Sequence, residues 1–319
     1  MRSTPSDSTA EVLEQLARRQ LLVVSGKGGV GRTTVAALLG LALARCGRRV
    51  LVATTGHDDR LAWLLGGDTL ADSPRQVSER LWIQRLEPRR CVREFGALMT
   101  HSRRLSNLVL DNTVVRNLIR AIPGLDDFAV LGKAWHEAVR GHAFDSVVFD
   151  GAASGHLRFN LGVAKAVYDT VPNGPLKKEA AAVDRSLRDG SKVVSVLVGL
   201  PELWPLTEMG ALAQSLRDEV GVAVGALVVN GMLHIPEALP DLANVTPARL
   251  SDAVHTSAVD AVATVAQRAD RQQQELQRWL ASPAAMACHA IPRLLVPWHA
   301  GGFSTADDLT GLLSRTREF

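Results

Sequence analysis

The chain has 319 residues, 46% hydrophobic and 22% charged, which is ample for a large packed core. Its 36 Lys and Arg face 33 Asp and Glu; without a dense basic run, this near balance argues against a nucleic-acid-binding surface. The longest apolar run, Val35 to Ala44, is half the roughly 20 residues a membrane-spanning helix needs, so any membrane contact is expected only through partners.

Residues 1–10, small and polar, read as a disordered leader, and residues 11–319 as one α/β domain. Leu21–Val24 is a short β-prone run that ends in a glycine loop. Thr33 to Cys46 follows with helical Ala/Leu periodicity, Gly47 is placed to end that helix, and Cys46 is expected in the core. Further strands are predicted at Val50–Ala53, Leu81–Ile83, Ser146–Asp150, Lys192–Leu200, Val222–Asn230 and Leu294–Pro297. Helical insertions are expected at about 90–140, broken at Pro123-Gly124, and at about 165–190, with a long helix near 247–280. Buried strands alternating with helices predict a mostly parallel sheet covered on both faces. The tail carries Leu309, Leu312, Leu313 and Phe319 among mixed charges, thin support for a membrane-surface helix. Three widely spaced cysteines, Cys46, Cys91 and Cys288, form no CxxC; neither a disulfide framework nor a zinc or iron–sulfur site is expected, and a cytoplasmic setting is.

The chemistry concentrates in Gly26-Lys27-Gly28-Gly29-Val30-Gly31-Arg32-Thr33, with Thr34 behind it. A Gly-x-x-x-x-Gly-[Lys/Arg]-Thr run between a strand and a helix is a phosphate loop. Its glycines let backbone N–H groups converge on phosphate oxygens, and the helix N-terminus adds its positive end. The Thr33 hydroxyl is placed to bind Mg²⁺. The expected ligand is ATP with Mg²⁺. The position before Thr33, ordinarily lysine, is Arg32, whose wide planar guanidinium fits a compact phosphate cradle less well.

Several motifs in order resemble the ArsA-like ATPases, a family of arsenite-pump and tail-anchored-protein-targeting ATPases within the MinD- and ParA-like P-loop NTPases. The loop resembles their deviant Walker A pattern. Phe144 to His156 resembles their combined Walker B and switch II segment. Pro123-Gly124 with Asp126 and Asp127, Pro201-Glu202 with Glu208, Val228-Val229-Asn230, and Leu295-Val296-Pro297 follow the family's remaining motifs. The resemblance covers about residues 20–300 and implies a helical subdomain within the P-loop fold. It implies that Asp150 holds the Mg²⁺ shell, that Gly155 and His156 move with switch II, and that Asn230 reads the adenine edge while Pro297 closes over the base. It also implies that Lys27 reaches the nucleotide of a facing subunit, in a homodimer or a heterodimer with a paralogue, and that a client protein binds the helical segments.

In the family's switch I an aspartate positions the attacking water; here that position holds Gly56. Asp58 or Asp59 takes over that role, or both cap the helix starting near Arg60. Three functions remain open: a nucleotide-switched dimeric ATPase with Lys27 and Arg32 neutralising phosphate charge, a nucleotide-binding pseudo-ATPase that regulates an active paralogue, and a ParA/MinD-like positioning ATPase.

Overall fold

Along Leu21–Val24 the side chains alternate between two cores: Leu21 and Val23 pack on one side, Leu22 and Val24 on the other. A strand buried on both faces belongs inside a parallel sheet. The computed structural model describes residues 7–100, 125–234, 252–299, 301–303 and 306–319. Its strands are β1 (Leu21–Gly26), β2 (Val50–Thr54), β3 (Arg75–Ser78), β4 (Leu81–Arg85), β5 (Ser146–Ala153), β6 (Val193–Gly199), β7 (Val224–Met232), β8 (Arg293–Pro297) and β9 (Arg317–Glu318). They form one sheet in the order β3-β4-β2-β5-β1-β6-β7-β8-β9. The seven strands from β4 to β8 in that order run parallel, and β3 and β9 are antiparallel edges.

The helices are α1 (Asp7–Ala17), α2 (Arg32–Arg45), α3 (Arg60–Leu64), α4 (Pro88–Thr100), α5 (Leu125–Trp135), α6 (Ser154–Thr170), α7 (Pro175–Arg188), α8 (Leu203–Ser215), α9 (Asp252–Leu280), α10 (Pro283–Ala287) and α11 (Ala306–Arg315). Wider π-helical turns at His136–Arg140 and Leu216–Val220 extend α5 and α8. Helices α1, α2, α3 and α11 cover one face, and α4 to α10 contribute to the core on the other. The mostly parallel α/β sheet with helices on both faces is as predicted.

Five local expectations change. Helix α1 starts at Asp7, so residues 7–10 belong to a helix rather than to the leader; its Val12, Leu13 and Leu16 are buried on the sheet. The helices over 165–190 pack on the sheet through Ala180, Val183 and Leu187 and form part of its covering layer, not an insertion apart from it. Cys46 is exposed because it follows the last buried turn of α2, whereas Cys91 and Cys288 are buried. In the tail, Leu309, Leu312 and Leu313 are core residues of α11. The edge strands β3 and β9 are additions to the predicted set. Pro123-Gly124 and residues 247–251 lie outside the described residues. Among the described residues no helix is long and apolar enough to cross a membrane.

Candidate functional site

The carboxyl ends of β1, β5 and β2 lie side by side, and the glycine loop leaves β1 there. Gly26 sits against the Val198 carbonyl of β6, where any Cβ would collide. Gly31 adopts φ +88°, a conformation that favours glycine, and a Cβ there would strike the Asn230 amide. That amide is the loop's brace: Asn230 Nδ2 donates to the Val30 carbonyl at 2.8 Å. Helix α2 then starts with no side-chain cap and no acidic residue in its first turn. Its N-terminal N–H groups and positive dipole end are left for an anion. Thr34, behind Thr33, is buried.

Thr33 and Asp150, 117 residues apart, meet at the head of the loop: Thr33 Oγ1 donates to Asp150 Oδ2 at 2.8 Å. Thr54, the register partner of Asp150 across β2 and β5, donates its hydroxyl to the same oxygen at 3.2 Å. Burial pushes the Asp150 carboxyl above the ordinary carboxylate range, opposed by the hydrogen bond from Thr33, the Arg32 charge and the bond from Thr54, and reinforced by nearby Asp58. A desolvated carboxylate beside a hydroxyl is an all-oxygen donor pair that fits Mg²⁺.

Both cations of the loop have partners in the chain. The Arg32 guanidinium donates to the Gly151 carbonyl, immediately after Asp150. Lys27, largely exposed, faces Glu208 of α8 at 3.4 Å, and the other oxygen of Glu208 accepts from Ser154 Oγ at 2.8 Å. The sequence motifs included Glu208 but gave it no role, and Thr54 and Ser154 carried no signal beyond a hydroxyl near a strand end.

The two switch I carboxylates separate. Asp59 accepts from the Leu70 amide at 2.8 Å and from Arg85 at 2.9 Å, so it ties the loop after α3 to β4. Asp58 is exposed; it accepts weakly from the Arg60 amide at 3.3 Å, at the head of α3. Gly56 donates its N–H to Thr54 Oγ1 at 3.0 Å. Beside it, Thr55, Phe149 and Leu157 line a cleft of about 160 Å³ with Asp126, Asp127 and Asn160. Burial, with Asp126 adding to it, raises the Asp127 carboxyl, and nearby His156 lowers it. Gly155 and His156 are exposed on the first turn of α6.

Asn230 and Pro297 lie on adjacent strands: Asn230 pairs with Val296, and Met232 with Pro297. The next residue, Trp298, is 54% exposed and leans over Gly231. The bond to Val30 leaves the Asn230 amide its carbonyl oxygen, an acceptor, and its second N–H, a donor, for any base.

Residues 19–171 match the family described as anion-transporting ATPase. A Halobacterium salinarum protein provisionally named an arsenical pump-driving ATPase is 27% identical over 247 residues, 72% of this chain and 38% of its own length. ATPase BagA of Mycobacterium tuberculosis is 27% identical over 68% of this chain and 66% of its own length. ATPase get3 of Neurospora crassa is 23% identical over 70% of this chain and 75% of its own length. The chain thus spans less than two thirds of the first two relatives. The matched residues carry the loop, Asp150 and the start of α6, and over them the chain is similar to the ArsA-like ATPases.

Proposed function

We propose that this chain binds MgATP in the Gly26–Thr34 loop and hydrolyses it slowly, and that the nucleotide state of a dimer controls its hold on a client or partner protein. The bond between Thr33 and Asp150 carries this reading, because it brings the loop hydroxyl and a buried carboxylate to one point at the head of α2. Mg²⁺ bound there would neutralise charge on the β- and γ-phosphates. The loop's N–H groups and the N-terminus of α2 bind phosphate oxygens, and Arg32 and Lys27 offset their charge. The acceptor oxygen of Asn230 suits the exocyclic amino group of adenine and repels the carbonyl of guanine. Asp58 orients the attacking water, since Asp59 is engaged by Leu70 and Arg85. Lys27, exposed at the surface of the loop, serves the facing subunit.

A second reading, a nucleotide-binding regulator without turnover, is favoured by the contact of Arg32 with Gly151 and by Gly56 in switch I. Steady-state ATP hydrolysis by the native chain, beside calorimetric MgATP binding, separates the two. Turnover above background supports the ATPase; binding without turnover supports the regulator; no binding sinks both. Sedimentation with and without MgATP tests the dimer, and strict monomers under both conditions count against the role given to Lys27.

A further inference from the structure

We infer that Glu208 is a positioning residue that couples the phosphate loop to the start of α6. The coupling to nucleotide rests on the binding reading above; the holding contacts do not. Helix α6 needs holding. Ala153, its capping residue, makes no side-chain capping bond, and the helix opens Ser154-Gly155 with Gly155 exposed. An uncapped N-terminus with glycine in its first turn frays unless something fastens it.

Two contacts fasten it, and both reach back to the loop. Arg32 donates to the Gly151 carbonyl. Ser154 donates to one oxygen of Glu208 at 2.8 Å, while the other faces Lys27 at 3.4 Å. Glu208 projects from the second turn of α8 into a narrow gap walled by Pro205, Met209 and Leu212, with Gly26 and Lys27 opposite. One carboxylate therefore answers both to the loop's lysine and to the first hydroxyl of α6. The four residues after Asp150 are tied at their first and last members to the two cations of the loop.

Phosphate competes for those cations. A phosphate oxygen is a stronger partner for a guanidinium than a neutral carbonyl, and a polyphosphate is stronger for an ammonium than one exposed carboxylate. Occupation of the loop, in this chain or across a dimer, draws Arg32 from Gly151 and Lys27 from Glu208. Segment 151–154 then moves free of the loop. Coupling of this kind is reciprocal: if phosphate loosens the fastening, loosening the fastening beforehand tightens phosphate binding. A merely structural role for Glu208 and Ser154 has the opposite sign, because damage to the site weakens binding.

The test uses the full chain with Glu208→Gln and Ser154→Ala, the second leaving every charge in place, and exposed Thr207→Ala on the same helix as a control. Amide hydrogen exchange is followed over residues 150–160 without nucleotide, and MgATP affinity by calorimetry. Unchanged protection of β1 and β6 establishes that each variant is folded. The inference expects faster exchange at 151–157 in Glu208→Gln and Ser154→Ala but not in Thr207→Ala. It also expects MgATP to bind both variants roughly fivefold more tightly or better, the lower end of ordinary inter-site coupling. Unchanged exchange in both variants overturns it, as does faster exchange with equal or weaker MgATP binding. If the native chain binds no MgATP, the function proposed above fails and so does the coupling, while the exchange result alone decides the fastening.

Discussion

Asn230 and Val30 stand 200 residues apart in the chain, and the side-chain amide of one donates to the backbone carbonyl of the other at 2.8 Å. The end of β7 thereby holds the phosphate loop from the side. Because the acceptor is a carbonyl, the amide can face it only with its nitrogen, which leaves its oxygen and its second N–H for other partners. Asn230→Ala leaves the buried Val30 carbonyl without this partner, at about 1–3 kcal/mol. The expected result is a lower unfolding midpoint, roughly tenfold weaker MgATP binding, and a smaller preference for ATP over GTP. If the preference survives intact while affinity falls, Asn230 braces the loop without reading the base.

Asp150 makes the opposite trade. Its carboxyl titrates above the unfolded carboxylate range because it is buried. Between the two pKa values the folded chain therefore binds more protons than the unfolded one, and stability falls as pH rises through that window. The contribution of this group is full below the unfolded pKa and is lost above the folded one. Asp150→Asn keeps an oxygen to accept from Thr33 and Thr54 and removes the desolvated charge. Its midpoint at pH 7 should exceed the native one by roughly 2 °C, with the gain vanishing as pH falls below the ordinary aspartate range of about 4, where the carboxyl is protonated in both states. Mg²⁺-dependent nucleotide binding should be lost in the same variant. Thermal scans across pH decide it; a variant less stable at every pH contradicts the buried-charge account.

These two residues differ in how far the sequence exposes them. Asp150 is legible because it ends a run of apolar strand residues, and the loop because glycines interrupt the step from strand to helix. The brace role of Asn230 is not, since it depends on β7 lying two strands from β1, a fact of sheet order that no local pattern encodes. The same limit hides the bond between Ser154 and Glu208, 54 residues apart. Strand β3 is hidden for another reason: Arg75, Gln76 and Ser78 are exposed, so it lacks the apolar alternation that marks a strand. Cys46 shows the reverse error, an apolar helix pattern extended one residue beyond the turn that packs.

Asp58 and Asp59, indistinguishable by position, separate by their partners. Asp59→Ala strips the Leu70 amide of its acceptor and Arg85 of its ion pair. It should cost about 1 kcal/mol of stability and leave most of the turnover. Asp58→Asn should leave stability unchanged and lower the rate constant for hydrolysis about tenfold or more, in the range for a positioned proton acceptor, with little change in MgATP affinity. Single-turnover hydrolysis beside a denaturant titration measures both. A rate loss in Asp59→Ala and none in Asp58→Asn would reverse the assignment.

In the proposed ATPase, Arg32 is the residue expected to limit the rate of the site. Its guanidinium is committed to the Gly151 carbonyl, so the charge that neutralises the γ-phosphate must first leave a partner. Lysine at this position has one compact donor head and less reach to that carbonyl, and it presents its charge to the phosphates directly. Arg32→Lys should therefore raise ATP turnover, by about tenfold if the displaced contact is worth one ordinary hydrogen bond to a charged group. Gly56→Asp is sterically open: a Cβ there meets Thr54 Oγ1 at 3.3 Å and Asp58 Oδ1 at 3.8 Å, and Gly56 has no positive φ. The added carboxylate restores a candidate base beside Asp58, and the double variant should exceed either single one. Steady-state rates for the four proteins test this directly. If Arg32→Lys turns over ATP more slowly than the native chain, the arginine is the working phosphate ligand and its bond to Gly151 does not hold it back.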